Sequence, residues 1–412
     1  MKSAKHTERQ MVVTATPQPE ARFEAQRSAM PQGKVPARAE GPIDVSVIVP
    51  TYGAERYLRQ CLASILQNRE ARLEVLVVID GSPDRCAQIA HEQAARDPRV
   101  RVIEKENGGY GSACNRGIDE ARGTYVAIVE PDDWVRPGFY DATLSFARSF
   151  PQLPEIIKTP YLRVTNPDTP RQRIWRCTYW GRIRPPRQPF TLMEAPRLFR
   201  HHPSIWSALY RRDFLRARAI RFQEVPGAGW VDNPFLAETL CQASSIAYLD
   251  QGFYCYREDL PGSSSMLRSS SLAFERWHDM ADVLDRLGID DYGIRRAHVV
   301  RGMTYLSGVM EEARVAGSPM EGQMRRMFAR MDPAHVLINR NVPNGMKRLF
   351  CEVTGAGPQF DPWPYRRALV DELIYSLRMN GPRFALSRIA LFFSRRSRIG
   401  RNNPARTSSA GM

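Results

Sequence analysis

The run Gly123-Thr-Tyr-Val-Ala-Ile-Val-Glu-Pro-Asp-Asp-Trp134 constrains this chain more than any other stretch. Residues 125–129 are apolar and rich in β-branched side chains, short enough for a buried strand. Pro131 lacks a backbone donor and stops that strand. Glu130, Asp132 and Asp133 then crowd its carboxyl end. Acids placed there either face water or need a positive charge among them. A divalent cation answers the second case, because hard cations take carboxylate oxygens.

The preceding residues supply a sheet. Residues 44–49 read as a strand, turned by Pro50-Thr-Tyr-Gly53. Tyr57, Leu58, Cys61, Leu62, Ile65 and Leu66 then recur at helical spacing. Residues 73–79 form a second buried strand that ends in Asp80-Gly-Ser-Pro-Asp84, and residues 100–104 a third. A helix opens within residues 107–115 and ends near Gly123. This alternation predicts an α/β fold, a mainly parallel sheet flanked by helices. Such sheets bind ligands beyond the carboxyl ends of their strands. Tyr52, Asp80 and the acids at 130–133 all fall at such ends, which favours a ligand and a metal over a solvated junction.

Val45-Ser-Val-Ile-Val-Pro-Thr-Tyr52, Asp80-Gly-Ser-Pro-Asp84, Asn107 through Asn115 with Gly117, and Glu130-Pro-Asp-Asp133 follow one another across residues 44–140. In order and spacing they resemble the family 2 glycosyltransferases of the GT-A fold. The resemblance implies a GT-A type, Rossmann-like α/β fold and an inverting transfer from a nucleotide-sugar donor, usually uridine-linked. It also implies a divalent metal, Mg2+ or Mn2+. Carried over residue by residue, it places the nucleotide at Pro50, Tyr52, Asp80, Gly81 and Asp132, with Tyr52 packed on the base and Asp80 bonded to it. The metal falls to Glu130 and Asp132. Such a metal would offset the charge that grows on the diphosphate as the glycosidic bond breaks. Three departures bear on donor identity. Ile79 replaces the first of two acids, Glu130 lengthens the first acid of Asp-x-Asp, and Cys114 stands where Arg often precedes Asn115.

Beyond the acids, residues 156–164 are apolar but interrupted by Lys158 and Thr159, and residues 165–190 read as a surface loop. Ser204-Ile-Trp-Ser-Ala-Leu-Tyr-Arg211 resembles the family's segment past the metal motif and suggests a strand followed by a helix. Asp232 precedes Pro234 and an apolar helical stretch. It is either a helix cap or, by the resemblance, the general base that takes the acceptor's proton. Val231 stands where the family has Glu. Residues 246–256 read as one strand. Arg257 and Pro261-Gly-Ser-Ser-Ser265 resemble the family's Tyr-Arg and Ser-rich loop, giving Arg257 either a diphosphate contact or an exposed place beside a flexible loop. Residues 272–287 and 295–315 have amphipathic helical patterns without evident chemistry. The expected division is a disordered leader at 1–42, a GT-A domain at 43–268 and a helical region with a basic tail at 269–412. The nucleotide-sugar half of the GT-A domain ends at 140 and the acceptor half begins at 141.

The net charge of +15 favours anionic partners, but no nucleic-acid motif supports nucleic acid among them. Seven scattered cysteines without a Cys-x-x-Cys pair argue against zinc or a disulfide framework and suit a reducing cytoplasm. No stretch approaches the ~20 apolar residues of a membrane span. From Gly381 onward no acid occurs, and Phe384, Leu386, Ile389, Leu391, Phe392 and Phe393 alternate with arginines. That helix either lies on the inner membrane face or packs on the protein. The expected partners are a nucleotide-sugar and a saccharide or lipid-linked acceptor of surface polysaccharide synthesis. Two rivals stand beside this reading. One is a dinucleotide-dependent enzyme, for which Gly109-Tyr-Gly111 is suggestive but Cys114 replaces the third glycine. The other is a non-catalytic sugar- or nucleotide-binding module. The glycosyltransferase reading requires Asp132 to face a cleft shared with Asp80 and Asp232.

Overall fold

The computed structural model describes residues 41–258, 270–316, 320–357 and 359–401. Strands β1 (Val45–Thr51), β2 (Leu73–Asp80), β3 (Val100–Lys105) and β4 (Tyr125–Ile128) alternate with helices α1 (Glu55–Leu66), α2 (Cys86–Ala94) and α3 (Tyr110–Glu120). The four strands pair in parallel, in the order β4-β1-β2-β3. Their near-continuous burial is what a parallel strand covered by helices requires. Pro50 and Thr51 extend β1, not its turn, because both stay in register with β2 after pairing to β4 ends at Ile48. Gly123 has to be glycine: a Cβ there would lie 2.5 Å from the Ser46 backbone nitrogen.

The chain continues through β5 (Trp134–Val135), α4 (Phe139–Arg148), β6 (Ile156–Lys158), β7 (Tyr161–Thr165) and β8 (Arg173–Arg176). Then come α5 (Arg197–Arg200), β9 (Ala208–Arg211), α6 (Arg212–Ala217), α7 (Asp232–Gln242), β10 (Ile246–Tyr248) and β11 (Tyr254–Arg257). The main sheet has seven strands in the order β10-β6-β9-β4-β1-β2-β3. Only β9 runs antiparallel to its neighbours, so the sheet is mainly parallel, as expected.

A second, four-stranded sheet, β5-β11-β7-β8, corrects two readings. Residues 165–190 are not all loop, since β8 pairs antiparallel with β7. Four residues are too few to show a period, but Ile174 reaches the small core of Leu162, Val164 and Cys255. Residues 246–256 form two strands in different sheets. The break falls at Gly252, where a Cβ would lie 2.3 Å from the Trp180 ring.

Helices α8 (Ser270–Arg286), α9 (Tyr292–Ala316), α10 (Glu321–Ala329), α11 (Pro333–Leu337), α12 (Asn344–Thr354) and α13 (Trp363–Arg401) follow. They pack on the α/β part as well as on one another. Met280, Val283, Leu284, Ile294 and Ala297 belong to the same core as the main sheet. The other faces of α8 and α9 build a second core from Phe274, Trp277, Val299 and Met303 with Phe328 and Phe350. α13 breaks at Gly381, which has a φ of +77°. The Phe384 ring packs at a tilt against Trp175 of β8, centroids 4.9 Å apart, so the start of the basic segment packs on the protein. The side chains of Ile389, Leu391, Phe392 and Phe393 lie outside the described residues, as do the leader at 1–40 and the Ser-rich loop at 261–265. Among the described residues no helix is long and apolar enough to cross a membrane.

Candidate active site

The three acids past β4 have different surroundings. Asp133 is 2% exposed. Its carboxylate accepts from the Tyr254 hydroxyl at 2.9 Å and from the Arg257 backbone N–H at 2.7 Å. It ties the end of β4 to β11 and is a structural acid. Glu130 and Asp132 stay partly open. The Tyr110 hydroxyl donates to Glu130 Oε1 at 2.6 Å. Even so, desolvation first and the Asp132 charge second push Glu130 up to about 8. Desolvation also raises Asp132, and among the described residues no other residue donates a hydrogen bond to its carboxylate. The Arg257 charge pulls Asp132 the other way, but neither Glu130 nor Asp132 forms an ion pair among the described residues.

Arg257 is not positioned to meet a diphosphate. Its side chain is 2% exposed. Nε donates to the Asp132 carbonyl at 2.6 Å, one Nη to Asp168 at 2.8 Å and the other to Gln60. The guanidinium is sandwiched between the Tyr57 and Trp134 rings, each 4.8 Å away. Its place in the fold is to hold the turn that presents Asp132. The sequence offered its identity but not these partners.

On the nucleotide side, Tyr52 is 57% exposed at the end of β1, free to offer its ring face. The Gly53 N–H donates to Ser82 Oγ at 2.8 Å, and that hydroxyl donates to Asp84 at 2.7 Å, so the turns after β1 and β2 are joined. Asp80 is 3% exposed. Its carboxylate accepts from Lys105 Nζ at 2.6 Å and from the Gly108 and Gly109 N–H groups at 2.9 Å each. These partners make Asp80 the anchor of the loop before α3. Gly81, with a φ of +63°, lets Asn107 approach, since a Cβ would lie 2.8 Å from its nitrogen. Gly109 does the same for the acceptor side: a Cβ there would lie 2.1 Å from the Val225 carbonyl, and the Tyr110 N–H donates to Gly227 at 2.9 Å. Lys105 carries no sequence signal for this role, and Gly109 stands out in the sequence only as part of Gly109-Tyr-Gly111, not as this contact.

Asp232 begins α7 but does not cap it; the capping position is Val231 and no side-chain cap bond forms. The Asn233 amide donates to Asp232 Oδ1 at 3.0 Å. Desolvation pushes Asp232 up to about 6, against the pull of the Arg301 charge. Asn233 Oδ1 in turn accepts from Arg301 at 2.7 Å and Tyr305 at 2.5 Å. Arg301 is anchored on the Phe199 and His201 carbonyls. Helix α9, to which the sequence assigned no chemistry, thus orients the residue beside Asp232.

Glu130 feels both Asp132 and Asp232, so these three acids share one centre. Asp80 joins it less directly. Buried Cys114 is raised by desolvation, then by Glu130, Asp232 and Asp80, while the Asp80 carboxylate itself turns toward residues 105–109. Among the described residues no three Asp, Glu, His or Cys side chains form a cation cage. The crowded pair Glu130 and Asp132 fits Mg2+ or Mn2+ only with further oxygens from phosphate and water.

Residues 46–217 match the family model described as Glycosyl transferase family 2. The chain is 34% identical over 222 residues to the uncharacterized glycosyltransferase EpsJ of Bacillus subtilis, covering 52% of this chain and 61% of that one. It is 28% identical over 244 residues to the putative glycosyltransferase EpsH of the same organism, covering 56% and 65%. It spans less than two thirds of the length of either relative. Among solved structures, S. aureus TarS 1-349 in complex with UDP-GlcNAc superposes with a TM-score of 0.62 at 19% identity, over 79% of this chain and 92% of that one. That likeness is one of fold.

Proposed function

We propose that this chain, whose residues 46–217 match the family 2 glycosyltransferase model, transfers a sugar from a UDP-sugar, with inversion, to a saccharide or lipid-linked acceptor in surface polysaccharide synthesis. The observation that carries the reading is the centre formed by Asp232, Glu130 and Asp132. Two acids there form no ion pair among the described residues, and burial pushes the third up to about 6. An acid of that strength is ionised at neutral pH and still basic enough to accept a proton.

Tyr52 stacks on the uracil, and Asp80 shapes the loop that lies beneath the nucleotide. Glu130 and Asp132 would hold Mg2+ or Mn2+, which neutralises the diphosphate leaving group when bound. The acceptor hydroxyl oxygen attacks the anomeric carbon, the bond to the diphosphate oxygen breaks, and Asp232 takes the hydroxyl proton. Arg301 and Tyr305, through Asn233, keep Asp232 aimed. We place the reaction in the cytoplasm, at the inner membrane face, where nucleotide-sugars meet lipid-linked acceptors.

The test is a screen of nucleotide-sugars, beginning with UDP-GlcNAc, for metal-dependent thermal stabilisation and slow hydrolysis. Stabilisation by UDP compounds that needs Mg2+ or Mn2+ and is lost in Asp132→Asn supports the proposal. Stabilisation by NAD instead points to the dinucleotide enzyme. Binding without turnover of any donor, with or without saccharide acceptors, points to the binding module.

A further inference from the structure

A second concentration of charge lies where α5, the start of α9 and the segment after α11 meet. Arg197, Arg200, Arg296 and Arg340 line a pocket of about 220 Å3 there. The pocket is built, not incidental. Gly293 lets α9 close on Pro196, since a Cβ would lie 2.8 Å from the proline ring. Asn339, 1% exposed, donates to the Arg296 carbonyl at 3.3 Å and accepts from the Asn341 N–H at 3.1 Å, which fixes the loop carrying Arg340.

Counter-charge is short. Glu372 acts on Arg197 and Arg200, but it is already bonded to Arg182 at 2.7 Å. Among the described residues none of the four lining guanidinium groups forms an ion pair or hydrogen bond; Arg296 only rests over the Tyr292 ring at 4.9 Å. Desolvation, followed by the Arg197 charge, lowers Arg200 to about 10. Arg197 is lowered by desolvation and then by Arg182. Four guanidinium groups around one pocket, two of them partly desolvated and all unpaired among the described residues, match the tetrahedral oxygens of phosphate, which accept paired N–H donors.

We propose that this pocket is a binding site for a phosphate or diphosphate group, distinct from the nucleotide site and beyond the transfer reaction. Its lining residues are separate from Glu130, Asp132 and Asp232. The two centres share a scaffold: α9 carries both Arg296 and Arg301, and Arg301 holds the Phe199 and His201 carbonyls as well as Asn233.

The test is calorimetric titration of the full chain with inorganic pyrophosphate in the presence of a chelator, which keeps a metal–diphosphate complex out of the acidic centre. Saturable binding is expected, unchanged in Asp132→Asn and weakened about tenfold by Arg340→Gln, with a further loss in Arg296→Gln/Arg340→Gln. Arg340 is exposed, so its single variant should fold like the wild type. Competition by phosphatidylglycerol vesicles would assign the phosphate to a lipid headgroup; pyrophosphate binding without such competition would assign it to a soluble phosphate compound. Absence of saturable binding, or an unchanged Kd in the double variant, overturns the proposal.

Discussion

The end of β4 and the pocket between α5 and α9 carry opposite charges in excess, and they are assembled in opposite ways. The acids come from four consecutive residues, 130–133; the arginines come from 197, 200, 296 and 340. In both places desolvation makes charge costly. In both, part of that charge is answered internally. Asp133 is answered by Tyr254 and the Arg257 backbone, and Arg182 by Glu372. What remains is Glu130 with Asp132 in one region and four arginines in the other. Burial alone therefore does not separate structural charge from ligand-directed charge. Asp132 and Asp133 are adjacent in sequence, yet one is consumed by the fold and the other is not.

That contrast can be broken most severely at the residue opposite the acids. Asp232→Asn should lower the transfer rate about 10²–10⁴-fold while UDP affinity holds; steady-state kinetics with a calorimetric Kd checks both, and near-full turnover would remove Asp232 from the mechanism. Next is a balanced charge. Arg257→Met leaves the Asp132 carbonyl and Gln60 without their donor and frees the Asp132 turn, and should cost about 2–3 kcal/mol in urea unfolding. A loss below about 1 kcal/mol would mean that Arg257 is not the strut its contacts describe. Third is an unbalanced one. Asp132→Asn should leave stability nearly unchanged but weaken metal-dependent UDP binding by at least the ~10–100-fold that follows loss of a metal-supporting group. If it unfolds the chain instead, Asp132 belongs with Asp133.

The smallest effects are in pH. With Asp232 at about 6, the rate should fall about tenfold per unit below pH 6. The same shift has a sign in stability. The folded pKa lies above the ordinary 3.8, so the contribution is full below about pH 4 and is lost as pH rises through 6. Asp232→Asn should accordingly melt higher than wild type at pH 7 and not at pH 4, which differential scanning calorimetry can read.

The parallel half of the main sheet was legible because its signals are local. Each strand of β1 to β4 is a short apolar run closed by its own turn residues, and the site motifs sit at those turns. What escaped notice depended on distant partners. β8 is recognisable only once Ile174 meets Leu162 and Val164. The break between β10 and β11 depends on Trp180 lying over Gly252. Asp80 could be named as a site residue from its turn, but the loop it anchors lies 25–29 positions further along. Arg257 could be named too, yet its engagement by Gln60 spans 197 positions.

By itself the sequence determined the α/β class, the alternation of the first four strands with helices and the acids presented at their ends. Periodicity and turn chemistry act within a few residues, and a strand's end is a local event. The tertiary structure alone decided which charges were left over. Pairing Asp133, satisfying Arg257, aiming Asp232 through Arg301 and gathering the four arginines around one pocket all join residues far apart in the chain. Whether a buried charge is balanced depends on what lies within a few ångströms of it, and only the folded chain specifies those neighbours.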